Sequence, residues 1–458
     1  MTFEHVVITG FGAITPNGNS AEALWKAVRE GHSAVTALTG DAFAPLAVRI
    51  GGQVRGFDGA LAVGQQRAKR ISPVQQWAIA AADEALTQAG IAPYDPAAPL
   101  PWDRTRVAVI AATGSGPIDA MQHATRAFDA RGPRAVPLTL AMHGAPDSAA
   151  ALLSQRYGFH GPSQGVSATC ASGAIGLGEG MRRIRHGYAD AVLVIGMEDC
   201  LNPINLASNA NLRALAAGYE SDPAAASRPF DRARSGFVMA QGAAAILIES
   251  ASSARRRGAR VLAELAGFGA SSDAHHPTAP HPEGRGAAQA IRACLADAGI
   301  DATAIDHINA HGTGTPAGDT AELRAFDAAL GERAREIPIS ATKSTTGHLL
   351  GAAGIVEAII TVQALNAGVL PPTRNLDDPE EPGWNFVTAP RVVTVHAAET
   401  VPADGTMPAA ATGRGAAAGC GSRFDTALST SFGFGGHNAA IVLRRPINCL
   451  PVNVEEPR

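Results

Sequence analysis

The stretch Val166-Ser-Ala-Thr-Cys170-Ala-Ser-Gly-Ala-Ile-Gly-Leu-Gly-Glu-Gly180 decides how the rest of the chain is read. A short β-prone run, Gln164 to Ala168, leads into it. Small residues then carry the chain toward Met181-Arg-Arg-Ile-Arg185, a helix closed by His186 and Gly187. Cys170 therefore stands where a strand turns into a helix. The unpaired N–H groups and the macrodipole of such a terminus favour an anion and lower a thiol from its ordinary value of about 8.5. A buried structural cysteine is the competing reading, because free cysteine is among the most buried residue types. Taken alone, this stretch leaves both readings open.

Outward from Cys170, the chain echoes itself. Ile8-Thr-Gly-Phe-Gly-Ala13 returns as Leu265-Ala-Gly-Phe-Gly-Ala270, and Thr113-Gly-Ser-Gly116 as His311-Gly-Thr-Gly314. Ser167-Ala-Thr-Cys170-Ala-Ser172 returns as Ser340-Ala-Thr-Lys343-Ser-Thr345, each predicted to head a long helix. Between these marks the spacing predicts helices over Ala21 to Glu30, Pro73 to Ala89 and Asp147 to Tyr157, and a strand over Val107 to Ala112. Ala191 to Gly196 is a continuous apolar strand of the kind covered on both faces. Thr426 to Leu443 reads as strand, glycine-rich turn, strand. Two similar βαβ-rich halves predict a layered α/β fold with a pseudo-twofold axis. Residues 1–255 make the first half, 256–445 the second and 446–458 a tail, with a low-complexity, flexible insertion over 397–423. The axis would bring Cys170, His311 and the segment 343–348 into one pocket.

Composition narrows the function classes. With 50 glycines, 46% hydrophobic and 17% charged residues, the chain can bury a large core and does not read as disordered. A formal net charge of −4 argues against bulk nucleic-acid binding. Cys170, Cys200, Cys294, Cys420 and Cys449 show no paired spacing, which fits a reducing cytoplasm. The first residues enter a strand at once, so no secretory leader is expected, and no uninterrupted apolar run is long enough to predict a membrane span. Gly10-Phe11-Gly12 lacks the third glycine of a dinucleotide fingerprint.

A cysteine, two histidines and a lysine in glycine-rich turns point to acyl transfer. A thiolate attacks a thioester carbonyl, backbone N–H groups hold the oxyanion, and histidines donate hydrogen bonds or move protons. The candidates are His311, in Asn309-Ala-His-Gly-Thr-Gly-Thr-Pro-Ala-Gly-Asp319, and His348, in Lys343-Ser-Thr-Thr-Gly-His348. Taken singly, each could equally be structural, since the chain has 14 histidines. A zinc site is disfavoured because no two ligand residues stand at close spacing. A cysteine-protease pair leaves Lys343 and the repeat unexplained.

These motifs closely resemble those of the β-ketoacyl-acyl carrier protein synthases, above all the elongating type II enzymes of fatty-acid synthesis and their type II polyketide relatives. The resemblance runs from Phe3 to Gly383 and resumes over Thr426 to Leu443, where Phe432-Gly-Phe434-Gly-Gly matches. It implies the thiolase fold, two related halves in a five-layer α/β/α/β/α arrangement. By the same resemblance Cys170 is the nucleophile that accepts the acyl chain. Its N–H and that of Phe434 form the oxyanion hole, and Phe434 gates the pocket. His311 and His348 promote decarboxylation of a malonyl extender, and Lys343, paired with Glu357, polarises the site. Asp319 and Phe432 support these groups, and Thr313 and Thr315 hold the phosphopantetheine arm. No metal and no free cofactor are expected.

The substrates would arrive on an acidic acyl carrier protein, for which Lys69, Arg70, Arg134 and Arg213 match docking positions. The resemblance also implies a homodimer, or a heterodimer with a chain length factor. Two departures stand out: Gly116-Pro117-Ile118-Asp119 replaces a glycine-rich pocket turn, and Leu140 replaces a pocket phenylalanine. Pro117, Ile118 and Leu140 are therefore expected to alter the acyl pocket. A non-catalytic partner subunit would lack the cysteine. A degradative thiolase would carry a second cysteine where this chain has Phe432 to Asn438.

Overall fold

The computed structural model describes residues 4–92, 98–393 and 424–446. The expected insertion at 397–423, and the tail from residue 447 onward, lie outside them. Fourteen strands are present among the described residues: β1 (Val6–Ile14), β2 (Val35–Ala37), β3 (Ile50–Gly52), β4 (Val107–Ala112), β5 (Ser163–Val166), β6 (Ala191–Glu198), β7 (Gly242–Ser250), β8 (Ala263–Ser272), β9 (His307–Asn309), β10 (Ile339–Ser340), β11 (Val369–Leu370), β12 (Arg391–Val392), β13 (Thr426–Gly433) and β14 (His437–Arg444). Ten of them form one ladder in the order β10-β9-β13-β14-β8-β1-β7-β6-β4-β5, and β2–β3 and β11–β12 make two small outlying pairs. Reading outward from the centre, β1-β7-β6-β4-β5 mirrors β8-β14-β13-β9-β10. Each half therefore lays its first, fifth, fourth, second and third strand in the same order. Val7 opposite Glu264 and Ile8 opposite Ala263 join the two halves.

Strand alternation explains the layers. In β4, Ala108 and Ile110 face a middle cluster, whereas Val107, Val109 and Ala111 face an outer one. The middle cluster is filled by the helices Ser172–Arg185 and Ala353–Ala367, which touch strands of both halves. The helices Pro73–Gln88 and Ser148–Tyr157 cover the outer face of the first half. Arg285–Asp297 and Pro316–Leu330 cover the outer face of the second. The result is the α/β/α/β/α stack of the thiolase fold. The segment Leu350–Ala367 has a mean hydropathy of 1.5 over 18 residues, enough to cross a membrane by composition, yet 78% of it is buried inside the protein. A helix apolar on every side is one that lies between two sheets.

One sequence expectation needs correction. The turn at Cys170 continues directly into Ser172–Arg185, but its counterpart at Lys343 does not head the long helix. Lys343–Thr346 makes a single turn and stops at Gly347, whose φ of +70° suits a residue without Cβ. The chain then presents His348 before the long helix starts at Ala353. That break is what allows the second half to contribute a histidine where the first contributes a helix.

Candidate active site

Cys170 lies in the tight turn Thr169–Ala171 at the mouth of the helix Ser172–Arg185. Thr169 is held at φ +50°, a conformation costly for a β-branched residue, and its hydroxyl donates to the Phe434 carbonyl at 2.9 Å. That bond ties the nucleophile turn to the glycine-rich turn of the other half. The approach is close: a Cβ on Gly433 would stand 2.2 Å from Thr169 Oγ1. The backbone N–H groups of Phe434 and of Cys170 itself point at the sulfur.

The expected thiolate does not stand ready in this site. Cys170 is 8% exposed, and burial pushes its thiol up to about 12, with the Glu198 charge adding to the rise. The Lys343 charge and the two N–H groups pull it down without prevailing. The helix terminus is where the sequence places it; desolvation outweighs it in magnitude.

Cys170 Sγ and side-chain nitrogens of His311 and His348 all lie within 4.8 Å of one another. The two imidazole rings meet edge to face with centroids 5.3 Å apart. Their hydrogen bonds decide their tautomers. The Leu350 N–H donates to His348 Nδ1 at 3.3 Å, and the Lys343 ammonium to His311 Nδ1 at 3.3 Å. Both Nδ1 atoms are acceptors, so each Nε2 carries the proton. His348 Nε2 is buried without a partner. Burial and the Lys343 charge hold both histidines well below their ordinary range, so both are neutral donors. The sequence offered no closely spaced metal ligands, yet folding gathers three. Because the ring lone pairs are committed at Nδ1, the protonated Nε2 edges suit an oxyanion rather than a cation.

Lys343 and Glu357 form a buried ion pair, 1% and 2% exposed. Burial still pushes Glu357 up to about 7, and its Oε2 has no partner. Two further carboxylates shape the His311 turn. Asp319 accepts from the Thr313 and Gly314 N–H groups at 3.1 Å and from Phe230 at 2.7 Å. Glu322, one helical turn on, accepts from the His311 and Gly312 N–H groups at 2.8 Å. Burial raises Asp319 to about 6 and Glu322 to about 7. Glu322 was not singled out in the sequence; its signal is a second acid at i+3 in the first turns of Pro316–Leu330.

Cys170, His311, His348 and Glu322 line a cavity of about 360 Å³, together with Thr313, Thr315, Phe432, Phe434 and Arg213, whereas Lys343, Glu357 and Asp319 lie buried behind its wall. The Thr313 and Thr315 hydroxyls are 3.0 Å apart, the Phe432 ring is 5.9 Å from His311, and Phe434 is half-buried against Phe237. The remaining sequence candidates lie elsewhere. Pro117, Ile118 and Leu140 do not line this cavity. Pro117 opens the helix Ile118–Arg131, and Leu140 begins the short helix Leu140–His143. Lys69, Arg70 and Arg134 are exposed and apart from the cavity, so of the four cations expected to dock a carrier only Arg213 reaches its wall.

Comparison with known proteins supplies the family. Residues 3–254 match the β-ketoacyl synthase N-terminal domain, and residues 262–377 the β-ketoacyl synthase C-terminal domain. The 3-oxoacyl-[acyl-carrier-protein] synthase 2 of Vibrio harveyi is 36% identical over 446 residues, covering 97% of this chain and 99% of the relative. That of Synechocystis is 35% identical over 444 residues, with 96% and 98% covered. Among solved structures, a β-ketoacyl synthase from Burkholderia phymatum superposes with a TM-score of 0.82 at 28% identity, covering 97% of this chain and 100% of that one. A type II polyketide ketosynthase in complex with its acyl-carrier protein has the same TM-score, identity and coverage. On two family domains and relatives aligned over almost their full length, the chain belongs to the β-ketoacyl synthase family.

Proposed function

We propose that the chain condenses a Cys170-bound acyl group with malonyl-acyl carrier protein, releasing carbon dioxide and a 3-oxoacyl thioester two carbons longer. The observation that carries this is the pair of neutral imidazoles offering Nε2–H donors beside the sulfur. In the first half-reaction, Cys170 attacks the acyl thioester, its proton leaves with the carrier thiol, and the Phe434 and Cys170 N–H groups hold the oxyanion. In the second, the malonyl carboxylate leaves as carbon dioxide. Its bonding electrons pass into an enolate whose oxygen accepts from His311 and His348. The enolate carbon attacks the Cys170 thioester, and the expelled thiolate takes a proton from solvent. Lys343 holds His311 in the donor tautomer. Thr313 and Thr315 present hydroxyls for a phosphopantetheine arm.

The partner is an acyl carrier protein, reached through Arg213 at the cavity and the exposed Lys69, Arg70 and Arg134. One solved relative is a ketosynthase in complex with such a carrier, another a ketosynthase/chain length factor. The enzyme acts as a dimer with itself or with a homologue of that kind. The edge strand β5 and the exposed Met121, Phe128, Leu138 and Met142, beside Pro117, Ile118 and Leu140, support that face as the subunit contact. Cys170, Cys200 and Cys294 are free, which supports a cytoplasmic setting. No free cofactor enters the reaction as written. Fatty-acid and polyketide substrates share this chemistry; Pro117, Ile118 and Leu140 lie on the proposed subunit face and not at the cavity, so the preference we assign them, for unsaturated or oxygenated chains, acts through the dimer. The test is product mass from purified protein given malonyl-carrier protein and acyl-carrier substrates. A 3-oxoacyl product is expected, absent in Cys170→Ala. Efficient elongation of a whole saturated series by a homodimer would return the chain to ordinary fatty-acid synthesis.

A further inference from the structure

Glu198, the last residue of β6, is fully buried and lies outside every motif used above. A carboxylate closing a strand that is otherwise apolar and buried must have its oxygens satisfied. Its Oε2 accepts from the Gly114 N–H at 2.6 Å and from the Gly351 N–H at 2.9 Å. Its Oε1 accepts from the Ser115 N–H at 3.1 Å and the Thr113 hydroxyl at 3.3 Å. These donors belong to opposite halves of the fold. Residues 113–115 form the turn behind the nucleophile, where Ser172, two residues after Cys170, bonds the Thr113 carbonyl. Gly351 follows Leu350, whose N–H sets the His348 tautomer and whose φ of +44° is strained.

We propose that Glu198 is a positioning residue that clamps the turn carrying His348 against the turn behind Cys170, fixing the separation of nucleophile and decarboxylating histidine. The two turns have no other slack. A Cβ on Gly351 would meet the Gly114 nitrogen at 2.2 Å, and one on Gly114 would meet Glu198 Oε2 at 2.9 Å. The carboxylate thus sits between backbones that glycine alone lets approach. Burial pushes Glu198 itself up to about 7 in spite of its four donors. Ionised above that, as it is where the thiol titrates, its charge raises the thiol against the Lys343 charge, with His311 and His348 neutral beside it. Glu198 therefore acts on the two half-reactions in opposite senses: it orders His348 for decarboxylation and restrains ionisation of Cys170.

This role rests on the condensing function above, and the test separates the two. In Glu198→Gln, whichever way the amide points, an NH2 faces N–H donors on one side. Malonyl-carrier decarboxylation should fall about tenfold, the scale of one unsatisfied buried donor. The pH midpoint for iodoacetamide labelling of Cys170 should move down, because a negative charge has gone. Glu198→Asp keeps the charge and shortens the reach, so decarboxylation should fall with the labelling midpoint unmoved. Gly351→Ala attacks the clamp from the other side and should behave like Glu198→Asp. A merely structural role would depress labelling, decarboxylation and thermal stability together. Wild-type decarboxylation in Gly351→Ala, or an unmoved or raised labelling midpoint in Glu198→Gln, overturns the proposal. Labelling needs no turnover: a wild-type protein that neither condenses nor decarboxylates fails the functional reading while the thiol shift is still read.

Discussion

Replacing Lys343 by methionine separates what its charge does for the fold from what it does for chemistry. Lys343 and Glu357 are 1% and 2% exposed, so neither charge is screened by solvent. Removing the ammonium leaves a buried carboxylate already raised to about 7 with its cation present. Breaking a buried pair from one side costs about 3–5 kcal/mol. At roughly 2.1 cal/mol/K per residue, 458 residues give an unfolding entropy near ~1 kcal/mol/K, so Tm should fall by about 3–5 °C. Glu357 is a carboxyl with a raised native value, so its contribution to stability is lost as pH rises. The Tm deficit of Lys343→Met should therefore be larger at pH 8.5 than at pH 6. Lys343→Met/Glu357→Leu removes both charges and should recover most of the Tm. Activity should not recover, because His311 Nδ1 has lost its donor and Nε2–H is no longer the enforced tautomer. Decarboxylation should remain down by about 10²-fold, the scale of one lost oxyanion donor. The assays are thermal unfolding and carbon dioxide release from malonyl-carrier protein. A double variant as unstable as the single one refutes the charge-burial argument, and one that regains decarboxylation refutes the tautomer argument.

Three further outcomes are expected. Intact-protein mass spectrometry after incubation with an acyl-carrier substrate should show one acyl adduct, absent in Cys170→Ala; an adduct persisting in that variant would falsify the nucleophile assignment. His311→Ala and His348→Ala should still acylate Cys170 while losing carbon dioxide release, and full decarboxylation by both would remove them from the second half-reaction. Asp199 is pushed up to about 7 by burial and by the Asp119 and Glu198 charges. Its raised native value means stability is lost as pH climbs from about 4 to 7, so Asp199→Asn should stabilise by roughly 1–3 kcal/mol at pH 8 and scarcely at pH 4. Denaturant unfolding at the two pH values reads this, and an equal effect at both would contradict it.

What the sequence determined by itself was the repeat and, through the family resemblance, the candidate reacting groups. The echoes at Ile8 and Leu265, Thr113 and His311, and Cys170 and Lys343 are local patterns, and local patterns set strand and turn positions through alternation and glycine placement. That the two halves share one strand order, and that Cys170, His311 and His348 meet, follow from that repeat; the order itself comes from the tertiary structure. Tertiary structure decided what depends on environment. A helix terminus favours a thiolate, but burial pushes the Cys170 thiol up to about 12, and desolvation is set by residues far along the chain. The tautomers of His311 and His348 hang on Lys343 and the Leu350 N–H, one of them 32 residues away in sequence. Glu198 carries no motif at all: its role exists only because residues 114 and 351, distant in sequence, are pressed together by the packing of two half-folds against each other.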